Sequence, residues 1–194
     1  HIRDFSTMQE AQAENEELKG RVAELTEENN RLQAEQYELE RLRELYALDQ
    51  DYMQYEKVAA RVIAKDSGNW FQIFRINKGS NDGIKENMNV IAGGGLVGIV
   101  TDVGANYATV RSIIDDASRV SCMSMRSGDN CIVSGDLTLF QEGLLGLDHV
   151  KKEADIQEGD KIVTSNISDV FLPGILVGYA TELTTDSNNV TKSG

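Results

Sequence analysis

The sequence predicts a mainly β protein that carries a long α-helix at its N-terminus. Three observations predict it. Residues 1–56 hold a large share of the Glu and repeat Leu at seven-residue steps. From Val58 onward Gly, Val and Ile take over, in short runs separated by turn formers at regular intervals. The chain has a single Pro, which fits barrels or sandwiches of antiparallel strands. The change in composition near Val58 is the clearest boundary in the chain.

The helix comes first. Leu18, Leu25, Leu32 and Leu39 fall at one heptad position, and Met8, Asn15, Val22, Asn29 and Gln36 at the other. Leu at d with Glu and Arg flanking is the pattern of a parallel, two-stranded coiled coil over residues 6–50. Leu18, Val22, Leu25, Asn29, Leu32 and Leu39 are the expected dimerisation residues. Asn29 at an a position favours two strands in register at a cost in stability. Gly20 costs about 1 kcal/mol more. After Leu39 the beat shortens, because Leu42, Leu45 and Leu48 follow at three-residue steps, widening the apolar face where the helix meets the body. The competing reading is one amphipathic helix packed on its own domain, and the extensive polar face argues against it. Such a helix reaches on the order of 60 Å.

The body raises a question at Ile91–Gly104, "IAGGGLVGIVTDVG". Gly93, Gly95 and Gly98 spell G-x-G-x-x-G, the dinucleotide-binding fingerprint. That chemistry needs a helix after the glycines, with its N-terminus on the pyrophosphate. Here β-branched Ile99, Val100, Thr101 and Val103 come next and give no helical period. The stretch reads as a strand, a glycine turn and a second strand, with Gly98 at a bulge or a close backbone approach. Further strands are expected in "VAARVIAKD", "WFQIFRIN", "ATVRSII", "RVSCMSM", "NCIVSGDL", "LLGLDHV", "KIVTS" and "ILVGYATEL". "KGSNDG", Glu158-Gly159-Asp160 and Pro173-Gly174 are turns, and Asn166 suits a left-handed position after "KIVTS". The polar tail from Asp186 is expected to fray.

Composition narrows the chemistry. Lys and Arg number 19 against 32 Asp and Glu, a formal net charge of -13, so phosphate backbones and anionic lipid surfaces are repelled. No apolar run is long enough to cross a bilayer. The start at His1 without Met reads as that of an excised piece, which leaves membrane attachment open. Cys122 and Cys131 flank "RSGD" and can face each other across a hairpin, as a disulfide or as two small apolar side chains. His1 and His149 are the only histidines, and no C-x-x-C occurs, so no His-rich or Cys-rich metal site is expected. No serine has the local context of a nucleophile. Asp115 and Asp116 lack calcium-loop spacing and read as a solvated turn. No catalytic, cofactor-binding or metal-binding residue is expected.

The residues resemble a family. A Glu-rich coiled coil precedes Trp70, then Asn77-Lys78-Gly79-Ser80, Asp82-Gly83 and Gly95-Leu96-Val97-Gly98. Gly159-Asp160, Thr164-Ser165, Pro173-Gly174 and Val177-Gly178 complete a set that resembles the rod-shape-determining protein MreC over nearly the whole chain. Asn166 stands where that family usually has Gly. In this set Gly79, Asp82, Gly83, Gly95, Gly98, Gly159, Asp160, Thr164, Ser165, Pro173, Gly174 and Gly178 are the expected turn and motif residues. The resemblance implies a membrane anchor before the coil and two small antiparallel β-barrel-like domains outside the cytoplasmic membrane. Residues 56–107 with 162–185 are expected to form the first, residues 108–161 the second, and 186–194 a flexible tail. It also implies a homodimer, sometimes in longer assemblies, that docks peptidoglycan-synthesis proteins as a non-enzymatic scaffold of cell-wall elongation. The implied partners are MreD and an elongation-specific penicillin-binding protein. A periplasmic adaptor of an export system is the alternative, and a two-barrel hydrolase using His149 is a third reading. The adaptor normally has a returning helix, which this sequence lacks.

Overall fold

A computed structural model describes residues 2–68, 72–188 and 190–194, with side chains from residue 6 onward. Trp70 and His1 lie outside the described residues. The chain divides into two compact units, one ending at Ala47 and one running from Leu48 to Gly194.

Helix α1 spans Ile2–Asp51. Helix formers fill it, Pro is absent, and its one Gly is tolerated at modest cost. Every side chain from residue 6 to residue 47 is exposed. Its surface is laced by short-range ion pairs: Arg31 lies 3.8 Å from both Glu28 and Glu35, and Arg41 grips Glu38 at 2.6 Å. Each contributes only about 0.2–0.5 kcal/mol to the helix. At the C-terminal end no basic residue occupies the last turn, and Lys57 replaces one from outside. Its Nζ donates to the carbonyls of Asp49 and Tyr52 at 3.2 and 2.6 Å and pairs with the Asp49 carboxylate at 3.1 Å. A cation there satisfies carbonyls the helix leaves open and opposes the negative end of its dipole.

The second unit is built from antiparallel strands. In chain order they are β1 (Val62–Lys65), β2 (Ile73–Ile76), β3 (Asn89–Ala92), β4 (Gly95–Val103), β5 (Ala108–Ser112) and β6 (Arg119–Ser124). Then come β7 (Asn130–Ser134), β8 (Gly146–Asp148), β9 (Val150–Lys151), β10 (Lys161–Thr164), β11 (Leu176–Tyr179), β12 (Thr184–Thr185) and β13 (Thr191–Ser193). A short helix, α2 (Leu137–Phe140), is capped by the Asp136 carboxylate, which accepts from Thr138 and Leu139. Among the described residues the strands form three sheets, in the orders β1-β2-β5-β4-β3, β11-β10-β6-β7-β8 and β12-β13-β9.

Three expectations need correction. Strand pairing does not group 162–185 with 56–107: β5 lies at the centre of the first sheet, while Ile162 in β10 pairs with Ser124 in β6. The reason is burial, since Ile162, Val163 and Thr164 are all buried and such a strand needs neighbours on both sides. The tail does not fray either. Its β13 pairs with both β12 and β9, and the Asp186 carboxylate accepts from the Thr191 hydroxyl at 2.6 Å. Asn166 does not take a left-handed backbone; Asn87 and His149 do, at φ 66° and 57°. The turn after Ser165 is held instead by the Ser165 hydroxyl, which accepts from the Ile167 amide at 3.2 Å.

The glycine question has a geometric answer. Gly93 and Gly94 have φ of 57° and 90° and form a two-residue hairpin turn between Ala92 and Gly95, which face each other. Positive φ at both positions matches the twist of the flanking strands. The next element is the nine-residue strand β4, so no helix stands after the glycines to bind a pyrophosphate. Gly98 sits beside a register shift between Val90 and Ile91, and a Cβ there would lie 2.3 Å from the Arg111 carbonyl oxygen.

Two apolar clusters fill the body. Phe74, Ile76, Ile84, Val100, Ala108 and Val110 make one inside the first sheet. Val120, Cys122, Cys131, Val133, Ile162 and Ile175 are at the heart of the other, which also takes Tyr52 and Leu96. The long strand β4 serves both, sending Val100 into the first cluster and Leu96 into the second.

Gly95→Ala places a Cβ 2.7 Å from the Leu176 carbonyl oxygen and is expected to cost about 1–3 kcal/mol in denaturant unfolding. Gly178→Ala has nothing within 4 Å of the added carbon and is expected to stay within about 0.5 kcal/mol of the parent.

Candidate functional site

The residues singled out by the sequence fall on a helix seam, on a set of tight turns and beside one joint between sheets. On the seam, Leu18, Val22, Leu25, Leu32 and Leu39 are 48–64% exposed, with Asn29 exposed on the same stripe. Five large apolar side chains thus stand exposed along one line of the helix, at the spacing of a coiled-coil seam. In a parallel, in-register pair, Glu14 at g would face Lys19 at e of the second strand, while Glu35 would face Glu40.

The turn residues fall into separate places. Gly79, Asp82 and Gly83 lie in the loop between β2 and β3, where the Asp82 carboxylate accepts from the Gly79 amide at 3.1 Å and pairs with Lys78 at 3.6 Å. A Cβ on Gly79 would lie 2.3 Å from the Gly104 carbonyl oxygen. That close approach lets Ser80 and Asn81 donate to Gly104 and Ala105 at 2.9 and 3.0 Å, locking this loop to the β4–β5 turn.

Thr164, Ser165, Pro173 and Gly174 do come together. The buried Thr164 hydroxyl donates to the Leu172 carbonyl at 2.6 Å and accepts from the Ile175 amide at 2.8 Å. It thereby closes the 165–175 loop, and the Gly174 amide donates to the Thr164 carbonyl at 3.0 Å. Ser165 donates through its hydroxyl to Asn130 at 3.2 Å. Asn89 in β3 ties the same loop to the first sheet: its side-chain amide donates to the Val170 carbonyl at 3.0 Å and accepts from the Leu172 amide at 2.8 Å.

Asp160 is the acceptor hub of the second sheet. It takes hydrogen bonds from Arg126 at 2.8 and 3.0 Å, from the Gln157 amide at 3.0 Å and from the buried Ser124 hydroxyl at 3.0 Å. Arg126 also bonds the carboxylate and carbonyl of Asp155. The Arg126 hydrogen bonds, followed by that from the Gln157 amide, hold the Asp160 carboxyl down at about 2. Gly159, at φ 87°, donates to the Ala180 carbonyl at 2.7 Å and completes this turn.

The joint between the first two sheets is made by Tyr52, just past the end of α1. Tyr52 is 5% exposed. Its hydroxyl donates to the Gly94 carbonyl at 2.8 Å and accepts from the Leu176 amide at 3.1 Å. One oxygen thus bridges the β3–β4 turn and the first residue of β11. Gly95 lies at the same place, within 2.7 Å of Leu176 for any added Cβ, and Tyr55 donates to the Pro173 carbonyl at 2.6 Å. Sequence reasoning missed Tyr52, Tyr55, Asn89 and Arg126. The one signal available was that "LDQDYMQY" continues the shortened Leu42-Leu45-Leu48 beat with aromatics.

The remaining candidates have structural partners. Cys122 and Cys131 are register partners across β6 and β7, both buried free thiols; burial pushes the Cys131 thiol up to about 11 and raises that of Cys122 further. The Asp115 and Asp116 carboxylates accept from the amides of Ala117 and Leu137 at 2.9 and 3.0 Å. No group of three or more potential metal ligands occurs among the described residues.

Tyr52→Phe removes both bonds of the joint and is expected to cost about 1–3 kcal/mol in denaturant unfolding, because the part-buried Leu176 amide loses its partner. The Asp160 carboxyl is depressed in the folded state from 3.8 to about 2. Its stabilising contribution is therefore complete above pH 3.8 and lost as pH falls through about 2. Thermal melts of the parent chain are expected to decline over that window, and Asp160→Asn to flatten the decline while lowering stability at neutral pH.

Residues 62–194 match the family model described as rod shape-determining protein MreC, barrel core. A cell shape-determining protein MreC from Listeria monocytogenes is 30% identical over 184 residues, covering 93% of this chain and 61% of the relative; the chain thus spans less than two-thirds of that relative's length. A solved MreC structure from Listeria monocytogenes superposes at a TM-score of 0.64 and 30% identity, over 93% of this chain and 86% of that one. A solved complex between penicillin-binding protein PBP2 and MreC from Helicobacter pylori matches in fold, with a TM-score of 0.56 and 16% identity over 69% of this chain and 82% of that one. The long helix followed by antiparallel sheets agrees with the expected fold class, and the chain belongs to the MreC family of rod shape-determining proteins.

Proposed function

We propose that this chain is the extracytoplasmic part of a non-enzymatic scaffold for cell-wall elongation, held as a parallel dimer by its helix. The observation that carries the dimer is the exposed row Leu18, Leu25, Leu32 and Leu39, spaced for a two-stranded coil and polar at Asn29 in the manner that favours register. Family membership supplies the link to cell shape. The PBP2–MreC complex from Helicobacter pylori supports an elongation-specific penicillin-binding protein as a partner here. MreD and an anchor in the cytoplasmic membrane belong to the same reading. Among the described residues no helix is long and apolar enough to cross a membrane, so the anchor would lie outside this stretch.

Mechanically, the helix sets valence and distance and the sheets present surface. A polar a position weakens a coil but selects two in-register strands, so identical faces of two bodies are offered together. The tight turns locked by Asp82, Asp160 and Thr164 keep those faces preformed, which lowers the ordering cost of docking.

Sedimentation equilibrium is expected to show a dimer that Leu25→Lys with Leu32→Lys converts to monomer. Glu40→Lys turns two like-charge contacts with Glu35 into attractive ones, each about 0.3–0.5 kcal/mol, and is expected to tighten a parallel dimer severalfold at low salt. An antiparallel coil lacks the Glu35–Glu40 contact, because e then faces e and g faces g, and would not be tightened in this way. For the scaffold itself, in-cell crosslinking of the membrane-anchored protein is expected to recover an elongation transpeptidase together with a second copy. Recovery of transporter subunits, or of the chain alone, would contradict the reading.

A further inference from the structure

Cys122 and Cys131 stand in the middle of the second sheet. They are register partners across β6 and β7, 0% and 3% exposed, and both are free thiols. The bonds on either side fix the kind of pair they make. The Ser124 amide donates to the Asp129 carbonyl at 2.9 Å and the Gly135 amide to the Ser118 carbonyl at 3.1 Å. Both of those pairs lie an even number of residues from the cysteines along one continuous register. Hydrogen-bonded and non-hydrogen-bonded pairs alternate in an antiparallel ladder, so Cys122 and Cys131 occupy a hydrogen-bonded pair. Opposed Cβ atoms are farthest apart there, about 5.5 Å, whereas a disulfide draws them to about 3.5–4.5 Å. Bridging therefore requires the strands to give up their register. The dithiol fits the sheet and the disulfide does not.

We propose that this pair is a redox-sensitive latch: as a dithiol it lets β6 and β7 close, and as a disulfide it holds them out of their hydrogen-bonded register. The latch goes beyond the scaffold reading and does not depend on it. In the closed sheet the pair is protected. The thiolate is the attacking species, and burial pushes the Cys131 thiol up to about 11 and that of Cys122 higher still. When β6 and β7 separate, both thiols lose that burial and stand nine positions apart (131 minus 122) across a short turn. A small-molecule disulfide then completes the chemistry. One cysteine thiolate attacks it, expels one thiolate and forms a mixed disulfide; the second cysteine thiolate attacks the bonded cysteine sulfur and expels the other. The pair loses two electrons and two protons, and the oxidant leaves as two thiols. The consequence reaches the surface. Cys122 also lies opposite Thr164 in β10, whose hydroxyl closes the 165–175 loop. That loop carries Ile167, Val170 and Leu172, which are 67%, 40% and 44% exposed, so displacing β6 loosens an exposed apolar surface.

The test uses the whole chain, with glutathione disulfide as the oxidant. Exposure is made in buffer and in denaturing urea, and the products are alkylated with iodoacetamide and weighed by mass spectrometry. Cys122→Ala with Cys131→Ala is the control. The folded chain is expected to stay a dithiol, and the urea-opened chain to form the intramolecular disulfide. After removal of urea, the oxidised chain is expected to melt below the reduced one. Its Gly174 and Ile175 amides, held by Thr164, are expected to exchange about tenfold faster, and dithiothreitol to restore both properties. That reversal in the parent chain decides the matter even where the double variant fails to fold. An oxidised chain that melts as high as the reduced one, with Gly174 and Ile175 unchanged, would overturn the latch. Oxidation in buffer as fast as in urea would overturn it too, as would a folded control that responds to the oxidant as the parent does.

Discussion

The Tyr52 hydroxyl gives its proton to the Gly94 carbonyl and takes one from the Leu176 amide, so the first sheet's glycine hairpin and the second sheet's edge strand meet on a single side chain. A buried hydroxyl with both bonds made stabilises, and the same hydroxyl left half-bonded costs its desolvation. The residues around it follow from that constraint. Gly93 and Gly94 turn the backbone so that a carbonyl faces the tyrosine, Gly95 lets β4 approach Leu176, and Pro173 offers its carbonyl to Tyr55. The pattern that imitates a nucleotide-binding motif is thus a set of requirements for a hairpin and a close strand contact.

Beyond this joint, polar side chains lock the turns and loops. Thr164, Asn89 and Asp160 each satisfy two or more partners, several of them distant in sequence. Loops fixed in this way have little conformational freedom left to lose when a partner binds. A scaffold of the kind proposed above gains from rigid turns more than from mobile ones.

Much of this was legible in the residues and some was not. The helix was legible because a seven-residue beat survives without tertiary help, and its exposed leucines lie where the spacing puts them. The hairpin at Gly93-Gly94 was legible because positive φ at two positions is a local demand. Strand partners were not: β10 joins β6 because Ile162, Val163 and Thr164 are all buried, a fact of packing that a run of four residues does not carry. Tyr52 was invisible for a related reason, since its partners lie 42 and 124 positions away. Asn166 shows the limit of substitution logic. A residue that tolerates a left-handed backbone need not adopt one, and Ser165 stabilises that turn by another route.

A joint of this kind makes the first two sheets open as one cooperative body. Native-state hydrogen exchange on the whole chain tests it most directly. The amides of Leu176 and Thr164 in the second sheet are expected to exchange through the same global opening as Val100 and Val110 in the first, with one denaturant dependence. Separate openings for the two sheets, with Leu176 exchanging while Val110 stays protected, would contradict it.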